Sequence, residues 1–432
     1  MDSSAQSMPA RNTVQFEGTP YLDGRASDPR TLGWMQGAPP PADKQITFES
    51  ERSMKFPEIR WSLSHMRELV PTVSVRRGDG ARVSFGVPSA ADATAVESLM
   101  FTDMEGRVRR FGEALINTYV DGIVVLHRGR VVFERYFGAL EPHLPHACFS
   151  VTKSYAGTLA AWLVHEGALD DKKLIPHYLP ELRGTAWADA TLRQVMDMQI
   201  GMTYSENEAD DRSSSSVYMC ACRTKPRPVG YDGPPTSCDY LRTVLKEGSH
   251  GEAFAYKSVN TQVMAWVMAR ATGRSFAQLL HERLWAPLGC EEEGYLVVDP
   301  AGMPSASGGF CASLRDLARF GELIRREGEW DGKQVIAAAV VDDIRHGGDP
   351  SKLANGGYKN LPGYAYRNHW WVTHNELGAV EARGIHGQRL YIASEAEMVI
   401  ARFSSHPVAS NAAINPIVAP QMLALGRMLR GS

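Results

Sequence analysis

Cysteine is scarce in this sequence. The 432 residues include six cysteines, at positions 148, 220, 222, 238, 290 and 311. That number is too small for the disulfide framework that stabilises many secreted proteins. The chain also lacks a pair of C-x-x-C motifs, and no histidine stands at ligand spacing beside Cys220 and Cys222. The sequence therefore predicts free thiols and no metal site.

Long hydrophobic runs are absent as well. The longest apolar candidate, residues 155–163, is far shorter than the ~20 residues that a membrane-spanning helix requires. Residues 1–11 are polar and have no basic segment followed by an apolar one, which is the pattern of a secretory signal. We therefore expect a cytoplasmic location and no membrane partner.

An excess of charge of either sign is also missing. Lys and Arg total 46 and Asp and Glu total 49, which gives a formal net charge of −3. This balance provides no electrostatic reason to expect nucleic acid or an anionic membrane as a partner. Hydrophobic residues at 44% and charged residues at 22% are typical of an ordinary globular protein.

Strand patterns occur in two distant parts of the chain. Residues 122–126 and 131–136 are β-branched and aromatic runs that flank Arg128-Gly129, and this pattern predicts a hairpin. Further strand-like runs come much later, at 370–373, 390–392 and 398–403. The residues between these two parts have a mostly helical pattern. Two distant segments that share one sheet, with helices between them, predict an α/β fold with an inserted helical lobe.

The predicted elements divide the chain at three points. Residues 1–95 are rich in Gly and Pro, and they predict an N-terminal extension that wraps the main body. In this division 96–175 and 285–432 form the α/β region, and 176–284 form the mostly helical lobe. Within the lobe, 205–239 contain four consecutive serines and several prolines, which predicts a long, mobile loop.

Ser150-Val151-Thr152-Lys153 is the only S-x-x-K motif in the chain. It begins an apolar-periodic segment that ends at Gly167, which predicts a helix, and residues three apart on a helix share one face. A serine hydroxyl becomes a nucleophile when a neighbouring base takes its proton, and a partly buried lysine can be that base. The positive end of the helix dipole also favours developing negative charge. The spacing alone fits a plain N-cap at Ser150 with an exposed Lys153 equally well.

Two further segments carry residue types that suit the same chemistry. Tyr256-Lys257-Ser258 lies just before a predicted helix at 260–271, and a tyrosine near a lysine can share a proton because both titrate near ~10. The segment 384–388, GIHGQ, precedes a predicted strand, and its first glycine allows backbone to approach a substrate closely. Taken alone, Tyr256 is more simply interpreted as a packed aromatic side chain.

The three segments, their order and their separations resemble those of the serine β-lactamase and penicillin-binding-protein superfamily. That group uses S-x-x-K, then Y-x-N or a variant, then a K-T-G-like strand. Within it the chain resembles the hydrolases of linear nylon oligomers, through TLRQVMDMQI at 191–200, FAYKSVNTQVMAWV at 254–267 and GIHGQ at 384–388. Family VIII carboxylesterases are more distant relatives by the same motifs. The resemblance covers nearly the whole chain and implies a β-lactamase-like fold, an antiparallel sheet flanked by helices.

Carried over residue by residue, the resemblance implies that Ser150 attacks the substrate carbonyl and that Lys153 and Tyr256 take and relay the proton. The backbone N–H groups of Ser150 and Ile385 would form the oxyanion hole, which stabilises the negative charge of the tetrahedral intermediate. Ser258 stands where many members have Asn, as it does in the oligomer hydrolases.

The K-T-G element reads here as Ala382-Arg383-Gly384, so its cationic first residue is absent. The resemblance implies that true β-lactamases and peptidases use that cation for the substrate carboxylate. The absence of this cation argues against β-lactams or peptidoglycan as substrates.

Three other residues near the motifs are possible substrate contacts. His386 directly follows the oxyanion segment, where a structural role is the alternative to a catalytic base. Tyr204 stands near the start of the family's substrate loop, and Trp370 could border a pocket, with a place in the core as the alternative. The oligomer hydrolases carry a further tyrosine in that loop, which aligns near Glu208, so the resemblance does not fix the substrate.

The resulting prediction is a cofactor-free serine hydrolase that cleaves small linear amides or esters through an acyl-enzyme. Similar enzymes suggest a homodimer. An acyltransferase or carboxylesterase of the same superfamily is the alternative, ahead of a β-lactamase or D-Ala peptidase. A non-catalytic binding protein is least favoured, because it has no need of Ser150, Lys153 and Tyr256 together.

Overall fold

A computed structural model describes residues 12–50, 52–206 and 213–431, and Glu208 lies outside these ranges. Its strands in chain order are β1 Thr13–Phe16, β2 Thr19–Leu22, β3 Thr72–Val75, β4 Met100–Thr102, β5 Val108–Arg110, β6 Val120–His127, β7 Arg130–Tyr136, β8 His146–Ala147, β9 Gly294–Val297, β10 Phe310–Ala312, β11 Glu329–Trp330, β12 Lys333–Gln334, β13 Ala365–Arg367, β14 Trp370–Val372, β15 Ala379–Gly384, β16 Gln388–Ala393 and β17 Met398–Ser404.

The helices of the same ranges are α1 Pro29–Leu32, α2 Ile59–Ser62, α3 Met66–Leu69, α4 Ala90–Ser98, α5 Phe111–Asn117, α6 Val151–His165, α7 Ile175–Tyr178, α8 Leu192–Met196, α9 Ser214–Cys222, α10 Ser237–Leu241, α11 Ser258–Thr272, α12 Phe276–Leu280, α13 Leu314–Arg325, α14 Ala338–His346, α15 Pro350–Asn355 and α16 Asn415–Arg430. Single 3₁₀ turns occur at Ala42–Lys44, Pro180–Leu182, Ile385–Gly387, Ser394–Ala396 and Asn411–Ala413, and a π-helical turn occurs at His281–Trp285. No helix in the described ranges is both long and apolar enough to cross a bilayer.

In the described part of the chain, seven strands form one antiparallel sheet in the order β13-β14-β15-β16-β17-β6-β7. β6 and β7 form the hairpin predicted around Arg128-Gly129. The two distant chain segments meet where β17 pairs with β6, with Val399 opposite Leu126. This arrangement confirms the predicted α/β fold, in which one sheet is closed by remote segments and flanked by helices.

Strand β17 shows how the sequence places this sheet inside the protein. Its residues are apolar on both faces apart from Arg402 and Ser404, and all of them are buried. Val399 and Phe403 point into the core cluster that includes residues of α6 and α13, whereas Met398 and Ile400 point into the cluster with residues of α5 and α16. A strand that is apolar on both faces requires a layer of helices on each side.

One cluster of buried apolar side chains extends from the sheet into the mostly helical part of the chain. It contains Val124 of β6 and Leu159 of α6 together with Leu192 of α8 and Val263 of α11. The helical part therefore packs on the α/β region through a shared apolar core. The division of the chain at 96, 176 and 285 remains a prediction.

The N-terminal residues contact the body at several points. The Arg60 guanidinium lies 3.5 Å from the Asp121 carboxylate of β6, and Tyr119 Oη donates to the Leu22 carbonyl at 2.8 Å. Strand β3 joins a second antiparallel sheet, in the order β3-β9-β10-β8. Strand β8 of that sheet ends three residues before Ser150, so this sheet supports the start of α6.

The prediction of a long, mobile loop at 205–239 is wrong for its described residues, because α9 lies within this segment and α10 begins in it. The serine run begins α9: Ser213 Oγ accepts the backbone N–H of Ser216, and Tyr218 is buried. Thr236 caps α10 in the same way. Serine and threonine are poor helix formers but good N-caps, so a polar run can begin a helix as well as form a loop.

Gly157→Ala is expected to destabilise the fold by about 3 kcal/mol or more, because α6 contacts the β13–β14 turn at this glycine. An added Cβ would overlap the Asn368 carbonyl oxygen and come within 2.9 Å of His369 Cβ. This clash outweighs the helix propensity of about 1 kcal/mol that alanine gains over glycine. Thermal unfolding measures the loss. Gly184→Ala is the matched control, since a Cβ there meets nothing within 4 Å, and an equal loss in both variants would contradict the packing argument.

Candidate active site

Ser150 directly precedes α6, where it follows a turn with a positive φ of 44° at Phe149. The Cys148 N–H donates to the Phe310 carbonyl at 2.8 Å, which anchors the turn to β10. The Ser150 side chain makes no capping hydrogen bond to a described residue of α6. The alternative of a plain N-cap is therefore wrong, and the hydroxyl is directed elsewhere.

The hydroxyl of Ser150 meets the side chain of Lys153, one helical turn further on. Lys153 Nζ donates to Ser150 Oγ at 2.8 Å and to the Ser307 carbonyl at 2.6 Å. The Lys153 side chain is only 1% exposed, so the alternative of an exposed lysine is also wrong. Burial disfavours the charged form of an amine, and a neutral amine can accept the serine proton along the same 2.8 Å line.

Tyr256 completes this group from the loop just before α11. Lys153 Nζ lies 5.1 Å from the centroid of the Tyr256 ring. The ring stacks on Trp371 of β14, with centroids 6.0 Å apart and planes at 22°. Tyr366 of β13 packs edge-on at 6.4 Å. The structure thus brings Tyr256 next to Ser150 and Lys153, which precede it by more than 100 residues in the sequence.

The segment that follows β15 lies against the residues that precede Ser150. A Cβ at Gly384 would come within 2.7 Å of the Cys148 carbonyl oxygen, so the close approach requires glycine. Ring centroids of Phe149 and His386 are 5.6 Å apart. Ile385 begins a 3₁₀ turn here and does not belong to the strand itself. These contacts place Ser150 and Ile385 side by side.

The backbone N–H groups of Ser150 and Ile385 donate to no acceptor among the described residues. The neighbouring carbonyls are held by side chains, since Asn411 Nδ2 donates to Gly384 O at 3.0 Å and Gln388 Nε2 donates to Ile385 O at 3.2 Å. Two adjacent backbone donors of this kind are available to an oxyanion.

His386 is buried in the turn beside Ile385, with a positive φ of 60°. Its Nδ1 bonds to the His406 carbonyl at 2.7 Å, and burial lowers the pKa of the imidazole. A neutral ring that donates Nδ1–H to this carbonyl fixes the conformation of the turn. The bond favours the structural alternative for His386 over a catalytic base.

Tyr204 and Trp370 occupy different surroundings. The Tyr204 ring packs with Tyr218 and Tyr240, and its carbonyl accepts a hydrogen bond from Lys257 of the Y-K-S segment. Trp370 has no exposed surface, and its indole N–H donates to Thr158 Oγ1 at 3.0 Å inside the core. Tyr204 therefore borders the Y-K-S segment, whereas Trp370 packs behind α6.

Trp371, on the opposite face of β14 from Trp370, is a site residue that the sequence analysis missed. Its indole packs between Tyr256 and the guanidinium of Arg383, which lies 5.1 Å from the ring centroid. Arg383 is paired with Glu381 at 2.7 Å. The side-chain alternation of a strand puts consecutive tryptophans on opposite faces, and this was the signal that one of the two could reach the site.

Glu206 is a second site residue that the sequence analysis missed. Its carboxylate accepts the backbone N–H of Ser258 and, at 3.3 Å, the Ser258 hydroxyl. A carboxylate at the N-terminus of α11 is favoured by the helix dipole. The contact ties the 203–206 segment to the Y-K-S motif, and its separation of 52 residues gives no local sequence signal.

His369 lies beneath the site in the β13–β14 turn, with a positive φ of 62° and 1% exposure. Neither ring nitrogen has a hydrogen-bond partner among the described residues. Burial lowers the pKa of this imidazole to about 3, and the neighbouring Lys153 amine contributes to this shift when it is protonated. Ser154 Oγ of α6 holds the His369 carbonyl at 2.7 Å. The ring therefore packs as a neutral group next to the catalytic helix.

Lowering the pH from 7 to 5 is expected to cost about 2 kcal/mol of stability through His369. The unfolded imidazole titrates near 6.5, whereas the folded one does so near 3, so the unfolded state binds more protons between these values. The contribution of His369 to the free energy of unfolding is therefore fully present above pH 6.5 and is lost as the pH falls from 6.5 towards 3. Denaturant unfolding at both pH values tests this. His369→Asn should reduce the difference in the free energy of unfolding between pH 7 and pH 5 by about 2 kcal/mol. His143→Asn, at an exposed position, should leave this difference unchanged. The same pH dependence in both variants would contradict the role of His369.

No group of three or more metal-ligating side chains occurs in the described ranges. The structure describes all six cysteines and shows no disulfide between them.

Comparison with known proteins agrees with this geometry. Residues 113–420 match the β-lactamase family, so the chain belongs to that family and is a serine hydrolase of β-lactamase fold. It is 32% identical over 353 residues to the 6-aminohexanoate-dimer hydrolase of Paenarthrobacter ureafaciens, covering 81% of this chain and 86% of that one.

Solved structures show the same relationship. A Bacillus anthracis protein assigned as a 6-aminohexanoate-dimer hydrolase superposes with a TM-score of 0.82 at 31% identity, over 90% of this chain and 99% of that chain. EstCE1, a hydrolase with promiscuous acyltransferase activity, gives a TM-score of 0.56 at 13% identity, over 79% of this chain and all of the other. The second likeness shows the shared fold alone. The resemblance predicted from the sequence motifs is confirmed.

Proposed function

We propose that this protein hydrolyses small linear amides or esters through an acyl-enzyme formed on Ser150. The observation that carries the proposal is the 2.8 Å contact between Ser150 Oγ and the buried Lys153 amine, with the Tyr256 ring beside it. A nucleophile within hydrogen-bond reach of its base is the arrangement that covalent catalysis requires.

In the acylation step, Ser150 Oγ attacks the substrate carbonyl carbon and its proton passes to neutral Lys153. The carbonyl oxygen becomes an oxyanion that accepts the N–H groups of Ser150 and Ile385. Removal of one such donor typically costs about 3 kcal/mol of transition-state stabilisation. The hydrogen bonds that Asn411 and Gln388 donate to carbonyls on either side keep the Ile385 peptide in place.

When the intermediate collapses, the bond to the amine or alcohol breaks and that leaving group takes a proton from Tyr256. Tyr256 recovers a proton from Lys153, which leaves an ester on Ser150 and a neutral lysine. A water molecule then attacks this ester, and its proton returns through the same pair to Ser150 Oγ. The products are the carboxylic acid and the regenerated enzyme, so that atoms and protons balance.

The surroundings of the site favour linear substrates over β-lactams. The first position of the K-T-G-like element is Ala382, and the cation at the second position, Arg383, is neutralised by Glu381 at 2.7 Å. Tyr256, whose ring centroid lies 5.1 Å from Lys153 Nζ, stacks on Trp371, and this aromatic pair suits a chain of methylene groups. The 32% identical relative is named a 6-aminohexanoate-dimer hydrolase, and an amide joins the two amino acids of such a dimer, which supports an amide substrate.

Analysis of the reaction products tests whether water or an alcohol accepts the acyl group from Ser150. An activity panel of linear aminohexanoate oligomers and short-chain p-nitrophenyl esters, with and without a competing alcohol, separates the alternatives. Release of the free acid as the main product supports hydrolysis. A dominant transfer product would make the protein an acyltransferase, and absence of turnover on the whole panel would contradict the proposal. We also propose a cytoplasmic homodimer, which analytical ultracentrifugation and cell fractionation test.

Tyr256→Phe is expected to reduce kcat on an amide by about 10²-fold or more, because an amine leaves only when protonated. The loss on a p-nitrophenyl ester should be smaller, since p-nitrophenolate leaves without a proton. The stack on Trp371 is preserved in this variant. Tyr391→Phe, which removes a buried hydroxyl that is bonded to Asn375 at 3.0 Å, is the matched control. Equal losses on the amide and the ester would contradict the role of Tyr256 as the acid for the leaving group.

A further inference from the structure

Three arginines form a row across adjacent strands of the central sheet. Arg383 of β15 is the cross-strand partner of Arg389 of β16, and Arg389 is the partner of Arg402 of β17. All three side chains are buried. They lie on the face covered by α5 and α16, since Arg402 Nη2 donates to the Thr118 carbonyl at 2.9 Å and Arg389 Nη2 donates to Asn415 Oδ1 at 2.6 Å.

The positive charge of this row exceeds the negative charge around it. Glu381 is 2.7 Å from Arg383 and 3.3 Å from Arg389, so one carboxylate serves two guanidinium groups. Arg402 makes no ion pair with any residue that the structure describes. Asp121, a buried carboxylate that influences Arg402 from a distance, is itself paired with Arg60 at 3.5 Å.

Several donors of the row also have no acceptor. Arg402 Nε and Nη1 are buried and have no hydrogen-bond partner among the described residues, and Arg389 Nη1, which lies 3.3 Å from Glu381 Oε2, makes no hydrogen bond there either. Buried donors in folded proteins are nearly always hydrogen-bonded. Because the two side chains are cross-strand neighbours, these donors lie on the same face of the sheet.

The charges persist at neutral pH. Burial, and then the neighbouring charge of Arg389, lower the pKa of Arg402 to about 9, and burial also lowers the pKa of Arg389. Arg402 is thus destabilised by the loss of water and by the charge of Arg389, yet a pKa of about 9 leaves it cationic at neutral pH. An anion between them would relieve both effects.

We propose that a small inorganic monoanion, with chloride as the representative ion, binds between the guanidinium groups of Arg389 and Arg402. The anion would accept hydrogen bonds from Arg402 Nε, Arg402 Nη1 and Arg389 Nη1. Asn415, the first residue of the 16-residue helix α16, bonds to Arg389, so the positive end of the α16 dipole lies on the same side.

The site is distinct from the catalytic group but touches the same strands. Gln388, the first residue of β16, donates to the carbonyls of Ile385 and Ser404. An ion that joins β16 to β17 would thereby hold the end of the sheet from which Ile385 projects. The inference does not rest on the substrate of the enzyme.

Thermal unfolding of the wild-type protein in increasing chloride, at constant ionic strength with gluconate as the replacement anion, tests the site. An ion released on unfolding raises Tm with its concentration, by roughly 3 °C over a hundredfold increase above its Kd. Arg402→Met should remove this dependence. Arg130→Met, which replaces an exposed arginine of β7, should preserve it. A wild-type Tm that is independent of chloride would overturn the proposal.

A direct measurement keeps the proposal falsifiable if Arg402→Met does not fold. Crystals of the wild-type protein prepared in bromide should show an anomalous peak between Arg389 and Arg402. Electron density without an anomalous signal at that position would identify water as the acceptor and would overturn the assignment.

Discussion

Ser150→Ala is expected to reduce kcat/KM on amides and esters by about 10⁴-fold or more while the fold is retained. The loss is this large because the covalent route disappears, and only binding and the oxyanion donors remain to assist water. Stability should change little, since the Ser150 side chain caps no helix and its hydrogen bond is to Lys153. Steady-state kinetics on a p-nitrophenyl ester measures the effect.

Ser154→Ala is the matched control for this variant, because it removes a hydroxyl from the same helix. Ser154 Oγ bonds to the His369 carbonyl at 2.7 Å, away from Ser150 Oγ. Its loss should cost about 1 kcal/mol of stability and leave activity within about tenfold of the wild type. If Ser150→Ala were as active as Ser154→Ala, Ser150 could not be the nucleophile.

Lys153→Met should lower kcat/KM on the order of 10³-fold, close to the effect of losing the nucleophile. Methionine fills the volume of the lysine stem but has no lone pair strong enough to accept the Ser150 proton. The rate of reaction with a serine-directed phosphonate should fall by a similar factor, because that reaction also needs an activated hydroxyl. The two measurements together separate loss of the base from loss of substrate binding.

Lys333→Met, at an exposed position of β12, is the control for the charge and the substitution. It should change neither rate. A Lys153→Met enzyme that reacts with the phosphonate at the wild-type rate would show that another group activates Ser150, and Tyr256 would then be the next residue to test.

The sequence predicts those parts of the site that depend on local spacing. Ser150 and Lys153 meet because residues three apart on α6 share a face, and the hairpin of β6 and β7 follows from two β-branched runs around Arg128-Gly129. Tyr256 required the order of the motifs, since nothing in its own segment distinguishes it from a core aromatic residue. The fold class followed from strand patterns at two distant places.

Contacts between distant segments could not be predicted in this way. Trp371 reaches Tyr256 because β14 adds to the sheet next to β15, so the choice between Trp370 and Trp371 depends on which face of β14 meets the site. Glu206 and Ser258 meet across 52 residues, and His369 lies under α6 because Gly157 leaves room for its turn. Pairings of this kind depend on tertiary packing, which a single sequence does not reveal.

The error at 205–239 has a different cause. The serine and proline content of this segment predicts a loop, although Ser213 and Thr236 are N-caps of α9 and α10. Serine and threonine favour both loops and helix N-termini. The helices form here because residues such as Tyr218 of α9 and Leu241 of α10 are buried in the core.

The central claim is that Ser150 is the residue that becomes acylated. Treatment of the wild-type protein with a serine-directed fluorophosphonate, followed by intact and peptide mass spectrometry, tests it most directly. The account predicts one adduct per chain on the peptide that contains Ser150, and none in Ser150→Ala. An adduct on another residue, or an unmodified wild-type enzyme whose activity is nevertheless abolished, would contradict it.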